Sequence, residues 1–356
     1  GCGPRQNLLA VEPRLCELPM ITLNMIVKNE AALLPGCLKS VKDFVDVIHI
    51  TDTGSTDGTV AIAESFGARV SHFDWCDDFA AARNYALGHV DTEWTLWLDA
   101  DDLVQNPELI PQLVAQCPDN VDAFWGIYKQ DGSSQQRRQS LFRTKRYRWV
   151  GVVHESLVPV ADDSTTATCD LVVIHRKPQA RCLEAAKQYL SILLAKEPDN
   201  WFGIAESYRY LSFHPDDELK RDAYRDLAVG YYNQALSHLR INKPTRYICL
   251  INMAKLNLER VNQDKRWLDL AQRCAVAAIK LDDTRAEGWA LRGQCHYLLG
   301  QIANANEACE VAMRCDKPRD GLFYHEYYDE HPKALIKHIK DSAQVPNLIK
   351  VAGRDF

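Results

Sequence analysis

The sequence predicts an α/β domain with a mixed, Rossmann-like sheet and helices on both faces, followed by an all-α domain of helical repeats. Three observations support this fold class. Apolar segments typical of strands alternate with helical segments up to about residue 100, which indicates βαβ units. Strand-like segments then follow one another between residues 121 and 175, which indicates an antiparallel extension of the sheet. From residue 181 the pattern is helical and partly repeats after 34 residues.

The size and composition are those of an ordinary globular protein. The chain has 356 residues, enough for two or three domains, and a formal net charge of −6. This charge gives no general attraction for nucleic acid or anionic membranes. No apolar segment approaches the roughly 18 residues of a membrane span. The 12 cysteines include no Cys-x-x-Cys pair, which argues against a zinc site and favours reduced cysteines. We therefore expect a cytoplasmic protein without a membrane span.

We expect four segments along the chain: a lead-in over 1–19, the α/β domain over 20–178, the helical domain over 179–330 and a C-terminal tail over 331–356. In the α/β domain, the predicted strands cover 21–27, 45–50, 68–72 and a segment that begins at Trp94. The predicted helices between them cover 30–42, 60–66 and 79–88, and Asn29 is the expected N-cap of the first.

Small residues recur in the helical half. One unit carries residues typical of a tetratricopeptide helix pair at Trp289, Gly293, His296, Ala305, Ala312 and Pro318. Ala271 and Ala278 lie 34 residues before Ala305 and Ala312, and a more degenerate copy begins at Trp201. Stacked helix pairs form an extended surface, which we expect to bind the acceptor or to form a homodimer.

Carboxylates follow the strand that begins at Trp94. Asp99, Asp101 and Asp102 lie at its end, where open α/β sheets bind ligands. Oxygen ligands suit Mg²⁺ or Mn²⁺, and such an ion can hold a diphosphate. Asp101 is the preferred metal ligand, and Asp99 is a candidate for the ribose or for a metal-bound water. The alternative for this cluster is a solvated turn.

A second polar loop follows the strand at 45–50. Asp52 is a candidate acceptor for a hydrogen bond from a base or ribose, and Gly54 and Ser55 can present backbone N–H groups. The alternative is a plain strand–turn–helix connection with Asp57 as cap. Further along, Arg83 and Asn84 lie on a helix where a guanidinium could neutralise the diphosphate. The alternative for Arg83 is a surface position.

Two histidines and a glutamate complete the candidate site. His154 and Glu155 offer a metal ligand beside a general base, and His175 ends an apolar strand. A histidine at the end of a strand is also common as a purely structural residue. The stretch 137–148 is rich in arginine and lysine, which indicates contact with phosphates or an acidic acceptor. Charges on a solvated strand are the alternative.

Five ordered motifs resemble those of the family-two glycosyltransferases with a GT-A fold. They lie at 25–30 (MIVKNE), 52–59 (DTGSTDGT), 78–84 (DFAAARN), 97–101 (WLDAD) and 153–155 (VHE). The resemblance covers about residues 20–178. The helical half resembles, more loosely, the tetratricopeptide tails of a subgroup that includes the sublancin-type peptide S-glycosyltransferases.

The resemblance implies inverting transfer of a sugar from a nucleotide-sugar, most often UDP-linked, with Mn²⁺ or Mg²⁺. It places Lys28 and Glu30 at the donor site and Asp52 at the uracil. It also places Asp99 and Asp101 at the ribose and the metal. His154 or His175 would complete the metal shell, and Glu155 would be the base, although the usual Glu-Asp base motif is not visible.

The acceptor stays open. A hydroxyl or thiol on a peptide, a glycan or a modified DNA base each fits the sequence, and a thiol would demand less of the base because of its lower pKa. A second hypothesis is a non-catalytic helical-repeat interaction protein with a degenerate sugar-nucleotide-binding domain. The intact pair Asp99 and Asp101 argues against it. A nucleotidyltransferase would need a Gly-rich phosphate loop near the start of the domain, and none is visible.

Overall fold

A computed structural model describes residues 20–343, apart from 131–134, 177–178, 214–217, 239–240, 319–323, 325–326 and 329. The predicted fold class is confirmed: an eight-stranded mixed sheet with helices precedes a helical region. The predicted lead-in at 1–19 lies outside the described residues.

The strands are β1 (Ile21–Val27), β2 (Val47–Asp52), β3 (Arg69–His72), β4 (Trp94–Trp97), β5 (Asp102–Val104), β6 (Ala123–Gln130), β7 (Gln135–Arg143), β8 (Tyr147–Val150), β9 (Ser156–Pro159) and β10 (Thr166–His175). The large sheet has the order β3-β2-β1-β4-β7-β6-β10-β5, and β8 pairs with β9 in a separate ribbon. The pairs among β1, β2, β3 and β4 are parallel, whereas β7 and β5 run antiparallel to their neighbours.

The helices of the α/β domain are α1 (Leu34–Val41), α2 (Thr59–Ser65), α3 (Phe79–Leu87) and α4 (Leu109–Ala115). The prediction that Asn29 caps the first helix is wrong, because α1 begins five residues later. Asn29 instead adopts a φ of 55° in the loop after β1. Its side-chain oxygen accepts a hydrogen bond from the N–H of Thr56 at 2.8 Å, which ties this loop to the one after β2.

The central strands are buried along almost their whole length. Leu23 and Met25 of β1 and Leu96 of β4 are fully enclosed, as expected of parallel strands covered on both faces. Burying side chains of this size contributes roughly 1.5–3 kcal/mol each. The core therefore holds β1 and β4 firmly, and their carboxyl ends have fixed positions.

Several chain segments converge at one edge of the sheet. β1, β2, β4 and β10 all end there, and β5 starts there, because His175 of β10 lies opposite Asp102 of β5. The sequence did not predict β5, a strand of only three residues. Its antiparallel pairing places the third aspartate beside the histidine that ends β10.

The helices of the second region are α5 (Gln179–Lys196), α6 (Trp201–Phe213), α7 (Arg221–Ser237), α8 (Lys243–Leu258), α9 (Arg266–Leu281), α10 (Ala286–Leu298), α11 (Ile302–Arg314) and α12 (Glu330–Ala343). Ala271, Ala278, Ala305 and Ala312 are fully buried, in line with the predicted repeat. Helix α12 packs on α11 through Leu335, so the segment assigned to a tail begins with a helix of this region.

The helical region packs directly on the α/β domain. Val153, Ile192, Leu193 and Ile204 form one buried cluster that joins α5 and α6 to the turn after β8. The backbone N–H of Val152 donates to Glu197 at 3.1 Å in the same contact. None of the described helices is both long and apolar enough to cross a membrane.

Candidate active site

A cavity of about 630 Å³ lies at the sheet edge where the strands converge. Its volume is within the usual range for small-molecule sites. Eight of the residues predicted from the sequence line it: Lys28, Glu30, Arg83, Asp99, Asp101, His154, Glu155 and His175. Four others, Asp52, Gly54, Ser55 and Asn84, are not among its lining residues.

Arg83 lies at the centre of the site rather than on the surface. Its Nη2 donates to Asp99 Oδ1 at 2.8 Å and its Nε donates to Glu155 Oε1 at 2.5 Å. The guanidinium also stacks over Trp97 and Trp149. Burial by itself lowers the pKa of Arg83, but the two carboxylates outweigh burial and raise it. Arg83 therefore holds the carboxylates at the ends of β4 and of the turn after β8 in fixed positions.

Asp99 is charged at neutral pH. Burial raises the pKa of this carboxyl, but Arg83 and Arg138 outweigh burial and lower the pKa to about 2. The guanidinium of Arg138 lies 3.6 Å from Asp99 and also donates to Asp102 at 2.8 Å. The sequence did not single out Arg138, which was one member of the basic stretch 137–148.

Asp102 organises the turn. It is fully buried and accepts hydrogen bonds from the backbone N–H of Asp99, the hydroxyl of Tyr128 and the guanidinium of Arg138. His175 Nδ1 lies 3.0 Å from the same carboxylate. The same nitrogen lies 3.4 Å from Asp101 Oδ1, so the buried carboxylate of Asp102 holds the imidazole beside Asp101.

Asp101, Asp102 and His175 form the cluster best suited to a metal ion among the described residues. One ligand atom of each lies within 4.8 Å of the others. Carboxylate oxygens with one imidazole nitrogen suit Mn²⁺, and Mg²⁺ accepts the oxygens. The residues present therefore fit a divalent ion. Asp99 and His154 line the same cavity outside this cluster, and their predicted roles as metal ligands stay predictions.

The loop after β2 holds the loop after β1 in place. Asp52 is buried, and its carboxylate accepts the backbone N–H groups of Gly54 and Ser55, each at 3.1 Å. Ser55 Oγ accepts the N–H of Asn29 at 2.9 Å. These bonds fix the loop after β1, which lines the cavity through Lys28. The nucleotide contacts proposed for Asp52, Gly54 and Ser55 stay predictions.

Asn84 has a positioning contact. Its amide donates to the carbonyl of Trp149 at 2.9 Å and accepts the N–H of Trp149 at 2.9 Å. The side chain thus adds a two-point connection from α3 to β8. The strand β8 leads directly into the turn that carries His154 and Glu155.

That turn departs from the sequence prediction. The segment 152–160 reads as one strand, but Gly151 has a φ of 95° and His154 a φ of 55°, so β9 starts only at Ser156. A histidine in the left-handed region is uncommon, and such residues cluster at functional sites. The His154 ring packs edge-on against Tyr189 of α5, with ring centroids 5.5 Å apart.

The basic stretch makes contacts within the chain. Arg137 donates to two backbone carbonyls, Arg143 pairs with Glu93, and Arg146 pairs with Asp163 at 2.6 Å. Together with Arg138 these side chains stabilise the sheet and the site. Lys145 and Arg148 of the same stretch are exposed, and the contact with phosphates or an acidic acceptor stays a prediction.

Comparisons with known proteins agree with this geometry. The fold and the site define an α/β domain of the GT-A type fused to helical repeats. The family model "Glycosyl transferase family 2" matches residues 22–174. A TPR repeat-containing protein of Synechococcus elongatus is 32% identical over 322 residues, which cover 83% of this chain and 75% of that protein. Residues 22–174 therefore form a glycosyltransferase family 2 domain, and the resemblance noted in the sequence is confirmed.

Other relatives match shorter parts. The glycosyltransferase SunS of Bacillus subtilis prophage SPbeta is 37% identical over 89 residues, 24% of this chain and 21% of SunS. The lipopolysaccharide core biosynthesis glycosyltransferase LpsC of Rhizobium meliloti is 28% identical over 182 residues, 45% of this chain and 65% of LpsC. Glucosyl-3-phosphoglycerate synthase of Mycobacterium tuberculosis, solved with Mn²⁺, UDP and phosphoglyceric acid, is similar with a TM-score of 0.38 and 17% identity. That match covers 50% of this chain and 78% of the synthase.

Proposed function

We propose that the chain is an inverting, metal-dependent glycosyltransferase. It transfers the sugar of a UDP-linked nucleotide-sugar to a nucleophilic group of an acceptor. One observation carries the proposal: a single cavity collects the acidic turn after β4, His175 and the Arg83–Glu155 pair. The family supplies the reaction class. The cytoplasmic location and the homodimer through the helical region stay predictions.

Asp101 and His175 are the residues that would hold Mn²⁺ or Mg²⁺, with the buried Asp102 beside them. When bound, such an ion offsets the negative charge that develops on a leaving diphosphate. Lys28 lines the same cavity from the loop after β1 and adds a positive charge that favours an anionic donor.

Glu155 is the proposed general base. Its carboxylate lines the cavity, and the bond from Arg83 Nε fixes its position. A positioned base that takes the acceptor proton accelerates such reactions by roughly 10²- to 10⁴-fold. The turn that carries Glu155 is held by the buried side chain of Val153, so the base has little freedom to move.

The test is the release of UDP from a panel of UDP-sugars with Mn²⁺, in the absence of an acceptor. Asp101→Asn should lower the rate of this hydrolysis at least about 100-fold, the scale of losing a charge-stabilising group. Asp119→Asn, at an exposed position outside the cavity, is the matched control and should keep the rate. Equal rates for Asp101→Asn and Asp119→Asn would contradict the proposed site.

Thermal stabilisation by the same panel gives a second, independent readout. A UDP-sugar that raises the melting temperature only with Mn²⁺ identifies both donor and ion, because ligands that bind the native state stabilise it. Stabilisation that is identical with and without the ion would reject metal dependence.

A further inference from the structure

Helix α5 of the helical region contributes one wall of the cavity. Glu184, Ala185, Gln188 and Tyr189 line it, and their spacing places them on one face of the helix. The other lining residues come from the α/β domain. The cavity is therefore built by both regions, and α5 adds side chains that the reaction scheme above does not use.

Aromatic rings continue this wall towards the proposed base. Trp75 and Phe79 have ring centroids 4.7 Å apart, and those of Phe79 and Tyr189 are 5.4 Å apart. Tyr189 in turn contacts His154, the neighbour of Glu155. Aromatic rings offer large apolar surfaces, which suit the C–H faces of a sugar ring. Carboxylate and amide heads such as Glu184 and Gln188 suit its hydroxyl groups.

The charges on this side of the cavity disfavour an anionic molecule. Among the described lining residues, α5 offers a carboxylate and an amide but no lysine or arginine. Arg83 already pairs with Asp99 and Glu155. Lys187 lies 3.4 Å from Glu184 outside the lining, in an exposed pair that contributes little. A phosphate group near Glu184 would meet like charge.

We propose that this acceptor wall, formed by Trp75, Phe79, Glu184, Gln188 and Tyr189, binds an uncharged saccharide whose hydroxyl is the acceptor. The proposal rests on the proposed function. In the reaction the hydroxyl proton passes to Glu155, and the hydroxyl oxygen bonds to the anomeric carbon of the donor. The bond from that carbon to the diphosphate oxygen breaks, and the electron pair leaves with the nucleoside diphosphate.

Saturation-transfer NMR measures the binding of small molecules to the full chain in the presence of UDP and Mn²⁺. No sugar can be transferred in this mixture. The probes are methyl β-glucoside, methyl α-mannoside, glucose 6-phosphate and a short cysteine-containing peptide. We expect at least one neutral glycoside to bind in preference to the phosphate and the peptide. Gln188→Ala should weaken that binding by about fivefold, the effect of one lost hydrogen bond.

A charge reversal sharpens the test. Glu184→Lys should favour glucose 6-phosphate over the neutral glycosides, and Glu310→Lys, at an exposed position of α11, is the matched control that should change nothing. Preference of the unaltered chain for the peptide or the phosphate would overturn the proposal. No glycoside binding, or binding that Gln188→Ala leaves unchanged, would also overturn it. Thermal stabilisation by UDP with Mn²⁺, measured on the same samples, tests the proposed function separately.

Discussion

Replacing Arg83 by methionine tests whether the guanidinium is the cation that holds the site together. Methionine keeps much of the side-chain stem but removes the bonds to Asp99 at 2.8 Å and to Glu155 at 2.5 Å. Both carboxylates are largely enclosed and would lose their shared partner. Removing one partner of a buried ion pair typically costs about 3–5 kcal/mol. We expect the free energy of unfolding at pH 7 to fall by about that amount.

The stability difference between the parent protein and Arg83→Met should depend on pH through the carboxyl of Asp99. In the parent protein the pKa of Asp99 lies at about 2, below its usual 3.8, so its stabilising contribution is complete above pH 3.8. It is lost only as the pH falls from 3.8 towards 2. In the variant Asp99 loses Arg83 and keeps Arg138 as a neighbouring cation, so the pKa of its carboxyl rises and it takes up a proton at a higher pH. The difference in stability between the two proteins should therefore narrow as the pH falls from 7 towards 4.

Urea and thermal unfolding followed by circular dichroism measure this difference at several pH values. Arg273→Met is the matched control, because Arg273 pairs with Asp269 on the exposed side of α9. An exposed pair of this kind contributes at most about 1 kcal/mol. If Arg83→Met were no more destabilising than Arg273→Met, the central role given to the guanidinium would be refuted.

Two further predictions concern stability. Gly293→Ala should destabilise the chain by about 1–3 kcal/mol, because the new Cβ would lie 2.8 Å from Cys309 Sγ. In Gly230→Ala the new Cβ has no other atom within 4 Å, so this substitution should instead stabilise α7 by up to about 1 kcal/mol. Similar melting temperatures for the two variants would contradict this difference in packing. Burial, with His89 and Arg69 nearby, lowers the pKa of His49 from 6.5 to about 4. The stabilisation that the protein gains from neutral His49 is complete above pH 6.5 and is lost as the pH falls towards 4. In His49→Gln the melting temperature should therefore fall less steeply over this range. An unchanged slope would contradict the lowered pKa of His49.

The sequence predicts the α/β domain well where burial and turn chemistry agree. β1 and β4 are short apolar runs bounded by polar loops, and both strands lie where the pattern places them. The polar groups that follow such strands meet at one edge, because parallel strands end on the same side. Asp99, Asp101 and His175 could therefore be predicted as neighbours without knowing any distance.

Other parts of the site depend on register and tertiary contact. Arg138 lies in a strand where alternate basic side chains point to opposite faces, and only the pairing of β7 with β4 and β6 decides which one reaches Asp99. The turn at His154 has the composition of a strand and is bent by tertiary packing. Nothing in the sequence of α5 indicates that Gln188 and Tyr189 face a cavity formed by residues more than 80 positions away, such as Asp99 and Asp101.

The packing of Val153 against Ile192, Leu193 and Ile204 limits how this chain can be recombined with its relatives. A graft that exchanges the helical region at the end of β10 would remove the residues that pack against this turn and the wall of the cavity that α5 contributes. Because Ala205 of α6 is buried against Ala228 and Tyr232 of α7, a junction between these two helices would open a second buried cluster, so a chimera should carry the helical region together with the α/β domain.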